Sequence, residues 1–99
     1  MDALIDKLTR LLADLGDDAD AVARSLKRAR VRGVPCDAER CVVATYLGKR
    51  CRRAGFLVNV SSAATAYARL CYVKVPLPLP VYEFASRFDL HKYPALEAR

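Results

Sequence analysis

The order of periodicities along the chain predicts an α+β fold: three N-terminal helices, a two-stranded β-hairpin and a C-terminal helix, an order that a winged-helix arrangement also satisfies. Three observations carry this. Apolar residues recur every three or four positions as far as residue 54, short β-branched and aromatic runs follow Gly55, and Pro76, Pro78 and Pro80 precede a further helical stripe. Ninety-nine residues suit a single domain, 1–99, with one modest core.

Leu4, Ile5, Leu8, Leu11, Leu12 and Leu15 form the broad stripe of a first amphipathic helix, which Gly16 ends. Asp17 or Asp18 caps a second helix over residues 18–31. Its acidic first turn and its basic end, Lys27, Arg28 and Arg30, both suit the helix dipole. Ala19, Val22, Leu26 and Ala29 share its packed face, with Arg24, Lys27 and Arg28 opposite. Gly33 and Pro35 mark a turn. Asp37 then opens a third helix over 37–54, although Arg40 stands where a capping box needs Glu, and Gly55 closes it as a left-handed cap. Val43, Ala44, Leu47, Cys51 and Ala54 form its apolar side, which leaves Val42 and Tyr46 outward among Lys49, Arg52 and Arg53.

Residues 56–60 read as a strand. The alanines of 62–75 also permit a helix, but Tyr67, Cys71, Tyr72, Val73 and Val75 favour one strand over 66–75. Residues 76–79 are extended. Pro80 starts the last helix, whose stripe is Val81, Phe84, Ala85 and Phe88, with His91 and Lys92 at its end before Pro94.

Charge is segregated. Residues 1–23 hold two cations against six carboxylates, a net of −4; residues 24–53 hold ten cations against two, a net of +8; the remainder adds +2, for a total of +6. A block of this kind selects a polyanion or an acidic protein surface. With nucleic acid, helices 18–31 and 37–54 make a helix-turn-helix and the strands a wing, with the arginines on phosphate. The outward N-terminal positions of the third helix, Ala38, Cys41, Val42 and Thr45, are poor readers of base edges, so this reading is one of backbone contact. With protein, Val42 and Tyr46 supply apolar anchors among the cations for an adaptor or inhibitor. A third reading leaves the charge solvated or matched to the acidic first helix. The contact residues on either binding reading are Arg24, Lys27, Arg28, Val42, Tyr46, Lys49, Arg50, Arg52 and Arg53.

Catalytic and metal chemistry find little purchase. Cys36, Cys41, Cys51 and Cys71 lack the two close ligand pairs of a zinc site, and Cys51 and Cys71 fall where a core side chain is wanted. Cys36 and Cys41 lie near a helix start and arginines, a setting that can lower a thiol pKa. His91 is the one histidine and suits a helix end better than a general base. Phosphate-loop, dinucleotide, zinc-protease and nucleophile-elbow motifs are absent. The expectation is a non-enzyme with neither cofactor nor metal. No apolar run reaches membrane-spanning length, and Asp2, Asp6 and Lys7 interrupt any signal sequence, so a cytoplasmic location with reduced thiols is expected. The first-helix stripe is covered by helices 18–31 and 37–54, or pairs with its copy in a two-fold homodimer.

The segment VRGVPCDAERC at 31–41, followed by Ala44, Tyr46 and Leu47 and later by Phe88, Asp89, Tyr93 and Pro94, resembles small uncharacterised proteins of actinobacteria and their phages. Their pattern is a glycine, a polar turn, Cys-Pro, an Ala-x-Tyr-Leu helix and a Phe-Asp…Tyr-Pro ending; this chain departs from it by having Val42 after Cys41, where the pattern often has proline. The resemblance implies a compact α+β domain in a phage or regulatory setting and carries no activity with it.

Overall fold

A computed structural model describes residues 3–98; Asp2 and Arg99, counted in the charge balance above, lie outside the described residues. The fold is α+β, with four α-helices and a three-stranded antiparallel sheet.

The first helix, α1, spans Ala3–Ala13 and buries Leu8 and Leu12. Leu15 is buried just beyond it, while Leu4 and Leu11 pack at the core margin and Ile5 stays 39% exposed. The stripe is thus covered within the chain, but mainly by the sheet, since α1 lies against the third strand rather than the two following helices. A Cβ on Gly16 would stand 2.6 Å from that of Ala21, so only glycine lets the chain fold back this tightly.

The second helix, α2, spans Ala19–Arg28, and the Asp18 carboxylate accepts from the Ala21 N–H at 2.8 Å. Its packed face is the expected Ala19, Val22 and Leu26. The helix stops three residues before the expected end, because Arg30 turns left-handed at φ 60°. Arg30 N then donates to Lys27 O and Val31 N to Leu26 O, a Schellman closure with buried Val31 as its apolar partner to Leu26.

The largest difference from expectation lies in the third helix. Asp37 caps no helix; its carboxylate accepts from the N–H groups of Glu39 and Arg40 at 3.0 and 3.1 Å and closes a local turn. Helix α3 spans Val42–Cys51, with the Cys41 sulfur accepting from Ala44 N at 3.4 Å as its cap. Arg52, not Gly55, takes the left-handed closing position, at φ 55°.

The sheet comprises β1 (Leu57–Asn59), β2 (Tyr67–Leu70) and β3 (Val73–Pro76), with β2 central. Residues 66–75 are therefore two strands around a reversal at Cys71 and Tyr72. Cys71 supplies the positive φ, 55°, that such turns usually draw from glycine or asparagine, and so the turn leaves no mark in the sequence. Val58, Ala68 and Val75 lie in register on the buried face. Pro76 ends the edge strand, where no ladder hydrogen bond is lost.

Helix α4 spans Leu79–Asp89, with Pro80 in its first turn and the expected Val81, Phe84, Ala85 and Phe88 buried against α2. Phe84 also meets Tyr93, with ring centroids 5.0 Å apart. After a 3-10 turn at Pro94–Leu96, the chain pairs with Gly33: Gly33 N donates to Leu96 O at 2.9 Å, and Ala98 N to Gly33 O at 2.7 Å.

Replacing Leu8 or Leu12 with Ala should lower stability by about 2–5 kcal/mol in denaturant titrations. The loss should be the same at every protein concentration; one that grows on dilution would place these side chains in a homodimer interface instead. At Gly33 a Cβ would overlap the backbone at Cys41 and Val42. Gly33→Ala should therefore cost about 3 kcal/mol, with accelerated amide exchange at Ala98, whose N–H the Gly33 carbonyl holds.

Candidate nucleic-acid interface

Each of the ten cations between residues 24 and 53 is exposed. Among the described residues the one ion pair is His91 with Glu97, Nδ1 to Oε2 at 3.1 Å, so no carboxylate neutralises the block by direct contact. Four of the acidic residues are engaged elsewhere. Asp18 and Asp37 hold backbone N–H groups, Asp20 accepts from the Tyr93 hydroxyl at 2.8 Å, and Asp89 accepts from Cys36 N at 2.8 Å.

The fold divides the block. Arg24 and Lys27 on α2 join Lys92 around a groove of about 340 Å³ floored by Tyr93, Pro94 and Leu96. Lys27, Arg30 and Arg32 border a second hollow, of about 580 Å³, that also meets Ala95 and Leu96. The 3-10 turn therefore carries cations along both sides. Arg28 donates to Ser25 Oγ at 3.4 Å. Lys49 donates to Ala29 O at 2.7 Å and caps α2, so its ammonium already holds a helix end. Arg50 lies 6.0 Å from the Tyr46 ring and shares a hollow with Asp6 of α1 and with Asp14 just beyond it, without an ion pair to either. Arg52 and Arg53 follow α3 into solvent.

Two of the expected contact residues do not reach the surface. Val42 is fully buried and Tyr46 is 8% exposed. The wheel drawn from Ala38 gave α3 one packed side, whereas the helix meets both β1 and α2 and buries Val42, Val43, Ala44, Tyr46 and Leu47. The helix-turn-helix arrangement fails for the same reason and for a second one. A groove-reading helix needs an exposed first turn, and the connection from α2 to α3 is thirteen residues long, against the three or four of that motif. Arg30, Arg32 and Lys92 were missed as groove residues; the first two lay within the basic block, but nothing local marked Lys92 as their neighbour.

The thiols also differ from expectation. Cys71 is exposed on the hairpin reversal and Cys51 is half-buried, while Cys41 is buried. Burial pushes the Cys41 thiol up to about 11, against the smaller opposing pull of the Ala44 and Val43 N–H groups, so it is the reverse of an activated nucleophile. Cys36 donates through sulfur to Asp89 O at 3.4 Å and, with Cys41 and Asp89, borders a cavity of about 230 Å³. Burial, then the hydrogen bond to Asp20, raises the Tyr93 hydroxyl, and the Tyr93 hydrogen bond raises the Arg87 guanidinium. No three His, Cys, Asp or Glu side chains gather as a metal set among the described residues, and no helix there is long and apolar enough to cross a membrane.

A thiol whose folded pKa lies above its unfolded value stabilises the fold fully below the unfolded pKa, and that contribution is lost as pH rises through the folded one. Stability should therefore fall between pH 9.0 and about 11, by about 2–3 kcal/mol from Cys41. Tyr93 shifts in the same direction and adds to the fall. Cys41→Ser, which keeps a capping atom, should flatten this alkaline limb in urea titrations; an unchanged limb would assign it to other groups.

No protein-family model, curated protein or solved structure matches the chain.

Proposed function

We propose that this chain is a non-catalytic binding module that contacts nucleic-acid backbone through the cations of residues 24–53, acting in the cytoplasm as a phage or regulatory accessory protein. One observation supports it above others: among the described residues the ten exposed cations have no carboxylate partner, and Asp18 and Asp20 serve as a helix cap and a hydroxyl acceptor instead. A surface left unneutralised in this way suits a polyanion, whose bound counterions are released when phosphates replace them. Arg24, Lys27, Arg30 and Arg32 with Lys92 form its densest part. Docking an acidic protein through the same block is the weaker reading, because Val42 and Tyr46, the apolar anchors it relied on, are buried.

The test is fluorescence anisotropy with a labelled DNA duplex across a salt series. Log affinity should fall linearly with log salt at a slope of about −0.9 for each phosphate neutralised. Arg24→Glu with Lys27→Glu should weaken binding and make that slope shallower by about 2. Absence of duplex binding at low salt would overturn the proposal.

A further inference from the structure

The outer face of the sheet carries a second set of groups. Strand register places Leu57, Arg69 and Lys74 in one cross-strand row and Asn59, Tyr67 and Pro76 in the next. Arg69 and Lys74 are exposed and directly opposite each other, and like charges in that relation destabilise a sheet. Neither has a carboxylate partner among the described residues, and the Lys74 ammonium lies 4.5 Å from the Tyr67 ring centroid. Tyr67 and Lys74 also border a hollow of about 360 Å³ beside Thr65 and Pro76. Beyond the same hairpin, Tyr72 is 94% exposed, whereas every other aromatic ring among the described residues is buried or half-buried.

The segment of chain that carries this face has charge of one sign only. No Asp or Glu occurs in the 43 residues from Arg40 to Tyr82, which hold seven cations. The chain leaves α3 through Arg52 and Arg53 and enters β1 at Leu57, whose partner is Arg69; a Cβ at the intervening Gly55 would lie 3.6 Å from the Leu70 side chain. Arg52 and Arg53 therefore lie on the chain that leads to the hairpin end of the sheet. The Cα atoms of Tyr67 and Tyr72 are at most about 18 Å apart along the chain, with Arg69 between them.

We infer that this face binds single-stranded nucleic acid, with bases stacked on Tyr72 and Tyr67 and phosphates held by Arg69 and Lys74. Aromatic rings among cations suit that ligand in particular. A duplex keeps its base faces covered, an acidic protein offers carboxylates but no stacked rings, and a single strand offers flat π-faces and phosphates in alternation. The inference deepens the proposal of nucleic-acid binding and rests on it, but it uses different residues.

The experiment compares four labelled probes at one salt concentration: oligothymidylate, oligouridylate, an abasic phosphodeoxyribose oligomer of equal length and charge, and a DNA duplex. Wild-type protein should bind one or both base-bearing strands about tenfold more tightly than the abasic chain; the thymidylate and uridylate arms show whether DNA or RNA is favoured. Tyr72→Ala, at a position too exposed to disturb the core, should erase that preference and leave duplex binding intact, and Tyr72→Trp should restore it. Arg69→Gln with Lys74→Gln should weaken binding of the abasic chain and of every base-bearing strand that the wild type binds. Equal affinity for abasic and base-bearing strands, or no effect of Tyr72→Ala, would overturn the inference while duplex binding still stood. A base preference that survives Arg24→Glu with Lys27→Glu, with duplex affinity also unchanged, would uphold the sheet site and overturn the role of the basic block. No binding to any probe would overturn both.

Discussion

The architecture depends on one close approach. At Gly33 the backbone runs so near the start of α3 that a side-chain carbon has no room, and both polar groups of that residue are taken by the C-terminal segment. Three pieces of chain distant in sequence meet there: the exit of α2, the entry of α3 and the stretch after the 3-10 turn. The same junction brings Lys92, Tyr93 and Leu96 alongside α2, so the groove bordered by Arg24 and Lys27 exists because the C-terminal segment is anchored at Gly33. Packing and binding surface have a common origin in it.

Charge is handled by a division of labour. Four carboxylates in this chain are structural: they cap α2, close the turn at Asp37, hold Tyr93 and fasten Cys36. Cations among the described residues are exposed, although Lys49 holds the end of α2. Exposed ion pairs contribute little to stability, so a chain loses little by leaving such pairs unmade, and it retains a strong positive field.

Helices and core were legible in the sequence wherever periodicity was long and uninterrupted. Leu8, Leu12, Val22, Leu26, Phe84 and Phe88 all lie inside, and the class of the fold follows from their spacing. Legibility failed where a local hydrogen bond outranked a pattern. Asp37 had the composition of a helix cap but closes a turn, and Cys41, a weak acceptor, caps α3 in its place. Cys71 reverses the hairpin without glycine or asparagine to announce it, which hid the central strand. The site was legible as charge but not as shape: the basic residues are exposed as read, whereas Val42 and Tyr46 were misplaced because a helix wheel cannot say how many neighbours will enclose a helix.

The chain reversals have an energetic signature of their own. Arg30, Cys36, Arg52, Cys71 and His91 all hold left-handed backbone, with φ between 55° and 62°. Side chains in that conformation cost roughly 1–2 kcal/mol each, which together approaches the whole net stability of a small domain, about 5–15 kcal/mol. This cost sits at loop corners and outside the packed interior. The molecule therefore has headroom for hardening by glycine or asparagine at the corners, with its core untouched. The corner at Cys71 is the one where such hardening would also reset the pose of Tyr72, so robustness and presentation of that ring would have to be tuned together.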